Sequence, residues 1–102
     1  KGKIAIALDD EIDTGGSLLS TVETLENQGV REVYACCTHG VLSGRAKEKL
    51  ASSSLKELIT TDTLPVANGD QSARITVLSV APLLGEAIHR IHGGMSVGAM
   101  FQ

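Results

Sequence analysis

At 102 residues the chain has room for one small domain and not two. Hydrophobic residues make up 42% of it, but with a single Tyr and a single Phe the core has to be aliphatic. A net charge of −3 without a basic stripe argues against a nucleic-acid footprint, and no apolar run approaches the ~18–20 residues of a membrane span.

The chain alternates between strand and helix patterns. Lys3 to Asp9 reads as a strand buried on both faces, because Ile4, Ala5, Ile6, Ala7 and Leu8 are continuous rather than alternating. Leu18, Leu19, Val22 and Leu25 recur at helical spacing, and Gly29 stands where that helix should stop. Glu32 to Thr38 predicts a second strand, with Cys36 and Cys37 on opposite faces. His39-Gly40 ends it. Ser43-Gly44 opens a short helix through Ala46, Leu50 and Ala51, which Ser52-Ser53-Ser54 breaks. Leu55 to Thr60 predicts a third strand and Asn68-Gly69-Asp70 a turn. Ile75 to Val80 predicts a fourth strand. Pro82 then suits a first helical turn, and Leu83, Leu84, Ala87, Ile88 and Ile91 give one apolar face before Gly93-Gly94.

Such alternation implies an α/β fold: a mostly parallel open sheet with flanking helices, formed by residues 1–102 as one domain. Two adjacent cysteines give no disulfide framework, and no stretch reads as a secretory signal, so a reducing, cytoplasmic setting is expected. The chain opens at Lys1 and runs straight into a strand, which leads us to expect part of a longer protein.

In parallel sheets, ligands bind beyond the carboxyl ends of the strands. The first such end carries Asp9-Asp10-Glu11-Ile12-Asp13-Thr14-Gly15-Gly16-Ser17. A strand runs into an acidic pair, then a Gly-Gly turn, then a helix start, where backbone amides and the helix dipole favour an anion. Gly15 and Gly16 let the backbone approach a phosphate closely, and Thr14 and Ser17 add hydroxyl donors. Asp9 and Asp10 repel a phosphate but accept hydrogen bonds from sugar hydroxyls or help hold Mg²⁺. The pattern therefore suits a phosphorylated sugar. His39 and Thr60-Thr61-Asp62 end other strands and are further candidates for the same edge. Cys36 and Cys37 read as core thiols. His89 and His92, three apart on a helix, read as surface histidines rather than metal ligands.

These residues carry a family resemblance. Asp9 to Ser17 resembles the phosphoribosyl diphosphate loop of type I phosphoribosyltransferase folds. Glu32-Val33-Tyr34-Ala35, Thr38-His39-Gly40-Val41-Leu42-Ser43-Gly44 and Leu55-Lys56-Glu57-Leu58 are similar to the ribose-phosphate diphosphokinase family. So are Thr61-Asp62-Thr63-Leu64-Pro65, Leu78 to Leu84, Ile88 to His92, and Ser96-Val97 with Phe101. The likeness spans nearly the whole chain in order.

The resemblance implies the later part of that family's second domain, as a partial type I phosphoribosyltransferase-like sheet. It implies that the 1-hydroxyl of ribose 5-phosphate attacks the β-phosphorus of ATP, giving 5-phosphoribosyl 1-diphosphate and AMP. Thr14, Gly15, Gly16 and Ser17 would cradle the 5-phosphate, with Asp13 at the loop mouth and Asp9 and Asp10 on the ribose hydroxyls. It further implies homo-oligomers that bind ATP between subunits, with Mg²⁺ ligands and the basic catalytic loop outside this chain. No catalytic residue is then expected here, and the chain alone should be inactive. Ser96 and Phe101 match a regulatory tail.

Three positions depart from the family pattern: Ser17 where Thr is frequent, Arg45 where Pro is common, and Gly98 where many members have a second Ser. A nucleotide-salvage phosphoribosyltransferase would explain the first loop but not the later blocks. A non-catalytic, synthetase-associated regulatory protein is the other alternative.

Overall fold

A computed structural model describes residues 2–65 and 74–102. The Asn68-Gly69-Asp70 turn lies outside them. Four parallel strands form one sheet in the order β1-β2-β3-β4: β1 is Ile4–Ile12, β2 Glu32–Gly40, β3 Glu57–Thr61 and β4 Ile75–Leu78. Helix α1 (Gly16–Asn27) connects β1 to β2, and α2 (Ala46–Ser52) connects β2 to β3. Helix α3 (Ala81–His92) follows β4, and Gly98–Phe101 form a final 3₁₀ turn. The expected α/β architecture is present. Among the described residues no helix is long and apolar enough to cross a membrane.

Sequential strand order with right-handed crossovers places both helical connections, α1 and α2, over the same face of the sheet. That face holds the core. Val33, Ala35 and Cys37 of β2 and Leu58 of β3 meet Val22 of α1, Leu50 of α2, and Leu55, with Ile12 closing the cluster. Leu18, Leu19 and Leu25 pack on its margin, the helical stripe predicted from their spacing. Cys37 is buried and Cys36 only half-buried, as opposite faces require. Burial pushes the Cys37 thiol up, and its Sγ donates to Thr60 Oγ1 (3.3 Å), so it is a neutral core group.

The opposite face is bare, which corrects the sequence reading of β1. Ile4, Ile6 and Leu8 are 48%, 63% and 78% exposed, although a continuous apolar run predicts burial on both sides. The alternation of small Ala5 and Ala7 with larger residues explains the difference. The alanines sit in register with Val33 and Ala35 under the helices, and the large side chains point to the uncovered face. Leu78 of β4, 56% exposed, lies at the other edge of that face.

Strand boundaries differ too. β1 continues three residues past Asp9, because Glu11 and Ile12 pair with His39 and Gly40 and Ile12 is buried. β3 begins at Glu57, later than Leu55, and β4 stops at Leu78. α3 starts with Pro82 in its first turn as predicted, but it buries none of its residues. Its stripe of Leu84, Ile88 and Ile91 is left 55%, 67% and 69% exposed. The Cα radius of gyration, 16.3 Å, exceeds the ~13 Å of a compact 100-residue domain.

One bond ties α3 to the sheet edge. Asp62, just after β3, accepts from the Val80 amide (2.8 Å) at the start of α3. That amide, with the Ser79 side chain, holds the Asp62 carboxyl below its ordinary value of 3.8. A depressed folded-state value stabilises the fold above pH 3.8 and stops doing so as pH falls through the lower folded value. Asp62→Asn keeps the shape without the charge. Its stability deficit against the parent, measured by urea denaturation, should be full at neutral pH and vanish in strong acid. A deficit independent of pH would contradict this.

Two bare apolar surfaces make a second expectation. Made alone, the 102 residues should self-associate. Sedimentation velocity should show concentration-dependent species, and a single sharp monomer boundary would contradict it.

Candidate functional site

Where β1 turns into α1, a pocket of about 190 Å³ opens at the carboxyl edge of the sheet. Asp9, Glu11, Ile12, Asp13, Thr14, Gly15, Gly16, Ser17 and Leu18 line it. The turn depends on Gly15, the residue before the helix, which sits in the left-handed region at φ 87°. A Cβ there would find open space, with Ala46 Cβ the nearest atom at 4.0 Å, so the need for glycine is conformational rather than steric.

Helical bonding in α1 begins with the Leu19 amide donating to Gly15 O (3.0 Å). The amides of Gly16, Ser17 and Leu18 precede that bond, and no side chain caps the helix. The first turn contains no acidic residue. Thr14 and Ser17 are exposed beside these amides. Among the described residues these amides have no partner, and with the positive dipole end they face one small pocket, which is the chemistry of anion binding.

The other wall is acidic. Asp9, Glu11 and Asp13 line the pocket, and among the described residues no Lys or Arg does. An anion is therefore favoured only at the Gly15–Ser17 end, while the carboxylate end accepts hydroxyl protons or attracts a cation. Asp9 and Asp10 fold back on the strand. Asp9 Oδ1 accepts from the Asp10 amide (2.8 Å), and Asp10 Oδ1 from the Glu11 amide (3.0 Å). A side-chain hydrogen bond with Asp9, then these backbone amides and a weaker pull from His39, hold the Asp10 carboxyl below its usual range.

The pocket thus gathers six of the residues singled out from the sequence: Asp9, Asp13, Thr14, Gly15, Gly16 and Ser17. Asp10 stands beside it without lining it. Glu11 was missed; continuing the strand alternation two residues past Asp9 would have found it.

The other strand ends are engaged within the protein. His39 Nδ1 lies 2.7 Å from Thr63 Oγ1. Thr61 Oγ1 donates to Thr38 O (2.6 Å), Thr60 is buried against Cys37, and Asp62 holds Val80. His89 and His92 are exposed on α3. Among the described residues no three His, Cys, Asp or Glu side chains form a metal-binding group. In the tail, Ser96 Oγ accepts from the Ala99 amide (3.3 Å) and Phe101 is 70% exposed.

Comparison with known proteins identifies the family. A ribose-phosphate pyrophosphokinase from Caldanaerobacter subterraneus subsp. tengcongensis is 54% identical over 101 residues, covering 99% of this chain and 32% of the relative. The chloroplastic ribose-phosphate pyrophosphokinase 2 of Spinacia oleracea is 52% identical over 102 residues, or 100% of this chain and 26% of the relative. The chain therefore spans between a quarter and a third of the length of these curated relatives. The crystal structure of phosphoribosylpyrophosphate synthetase from Mycobacterium smegmatis matches with a TM-score of 0.87 and 41% identity, over 92% of this chain and 32% of that one. Residues 1–102, from strand β1 through the Gly15 turn to the tail, match the phosphoribosyl synthetase-associated domain, and the chain belongs to that family.

Proposed function

We propose that this chain is the ribose 5-phosphate-binding part of an enzyme that transfers diphosphate from ATP to ribose 5-phosphate. The products are 5-phosphoribosyl 1-diphosphate and AMP. The observation that carries this reading is the pairing, in one pocket, of unpartnered amides at the start of α1 with carboxylates at the end of β1. A phosphorylated sugar has the matching halves, a dianion at one end and hydroxyl donors along the ring.

In this arrangement the Gly16, Ser17 and Leu18 amides, with the Thr14 and Ser17 hydroxyls, take the 5-phosphate. Asp9 and Asp10 accept from the ribose hydroxyls, with Asp13 at the loop mouth. The sugar is then held at both ends and presents its 1-hydroxyl outward, and positioning of this kind supplies much of the catalysis of phosphoryl-type transfer. The 1-hydroxyl oxygen bonds to the β-phosphorus, the bond to the α-phosphate oxygen breaks, and AMP leaves.

Magnesium fits this chain only in part, since carboxylates such as Asp9 supply oxygen ligands but no complete set assembles among the described residues. When bound, the ion would neutralise charge on the transferred group. Among the described residues no Lys or Arg lines the pocket, and on this reading the cationic side chains that face ATP come from the rest of a longer protein acting as a homo-oligomer. The chain alone is then inactive. Ser96 and the exposed Phe101 contribute to a regulatory surface.

Incubating the full-length protein with ATP, Mg²⁺ and ribose 5-phosphate should release AMP only when the sugar phosphate is present. Consumption of 5-phosphoribosyl 1-diphosphate on adding a base would make it a salvage transferase instead. Ligand binding with neither activity would make it a regulatory protein.

Gly15→Val in the full-length protein should weaken ribose 5-phosphate binding about tenfold, the effect of ~1–2 kcal/mol of backbone strain released by moving the turn. Unchanged binding by titration calorimetry would remove this loop from the site.

A further inference from the structure

The loop after β2 reaches back to the anion-binding turn through three hydrogen bonds. The Leu42 amide donates to Ile12 O (3.0 Å) and the Ser43 amide to Asp13 O (3.0 Å). Ser43 Oγ also donates to Asp13 Oδ1. The geometry is held under tension. Leu42 sits at φ 52°, a left-handed conformation uncommon for a non-glycine residue, while its side chain packs against the core. A strained turn anchored by a core side chain is over-determined by its surroundings, and here it aims two amides and a hydroxyl at Ile12 and Asp13.

Ser43 does not line the pocket; Asp13 does. Asp13 is one residue before the phosphate-binding stretch, and its carboxylate, if free to rotate, could place a negative charge against an incoming phosphate. A hydroxyl donating to one carboxylate oxygen fixes the rotamer and draws off part of that charge. We propose that Ser43 is a positioning residue. By holding the Asp13 carboxylate and carbonyl, it sets the shape and the charge of the anion-binding turn, and so the affinity for the phosphorylated sugar. The inference rests on the ribose 5-phosphate reading of the pocket, and it assigns a role to the loop between β2 and α2 that the pocket lining does not reveal.

The test compares Ser43→Ala, Ser43→Thr, Asp13→Asn and the Ser43→Ala/Asp13→Asn double variant in the full-length enzyme. Ser43→Ala should raise KM for ribose 5-phosphate about tenfold, the usual order for losing a hydrogen bond to a charged group. KM for ATP and kcat should stay within about twofold. Ser43→Thr, which keeps the hydroxyl, should restore the parent KM. In the Asp13→Asn background, Ser43→Ala should add little, because the charge it restrains is gone. An unchanged KM in Ser43→Ala would overturn the proposal. So would a joint loss of kcat and both KM values that threonine does not repair, or effects that simply add in the double variant. Titration of the parent enzyme with ribose 5-phosphate separates the two layers. Parent binding with an indifferent Ser43→Ala sinks the role of Ser43 alone, whereas no parent binding sinks the sugar-phosphate reading and the inference with it.

Discussion

Ile12 is 5% exposed, and the site depends on where it is buried. Three carboxylates, Asp9, Asp10 and Glu11, come just before it, and acidic residues are poor strand formers. They nonetheless continue β1 because the ladder to β2 extends to Ile12 and Gly40 and because the Ile12 side chain closes the core. That apolar anchor fixes the strand's last residue, and with it the take-off point of the turn. Gly15 then reverses the chain in two further residues, and α1 begins with its amides directed at the space that the carboxylates border.

The electrostatics follow from the same geometry. A helix dipole supplies roughly half a positive charge at its amino end, whereas three acidic side chains line the same pocket without a basic one. The amides alone do not balance that charge, which is why the proposed ligand is anionic at one end and hydroxylated at the other. Asp10 shows that local hydrogen bonds matter as well, since the one with the Asp9 side chain, then those from the strand's own amides, keep it ionised into stronger acid than an unpartnered carboxyl.

Much of the fold was legible because the physics was local. The apolar stripe of α1, the alternation that separates Cys36 from Cys37, and Pro82 in the first turn of α3 all follow from spacing. The turn from Asp13 to Ser17 was legible for the same reason. The exposure of Ile6 and Leu8 was not, because burial depends on what covers a face, and sequence spacing within a strand does not state which face is covered. Ser43 was read as the start of a helix and as part of a family-like block, not as a partner of Asp13. Its bond to Asp13 spans thirty positions and arises from the left-handed turn at Leu42, a conformation that leucine does not advertise.

The one-sided crossover topology also bears on how the chain folds. Every strand pair is parallel, so no hairpin can zip up locally, and Ile4 must wait for Glu32 to arrive across a whole helix. Parallel pairings of this kind form slowly and leave strand edges open in the meantime. β1 is an edge of this sheet, and its first half is an apolar template for intermolecular pairing. The carboxylates that follow interrupt that template with like charges, which repel a second copy laid alongside. The same acidic run that borders the pocket thus guards the strand against aggregation while its partner is still being delivered.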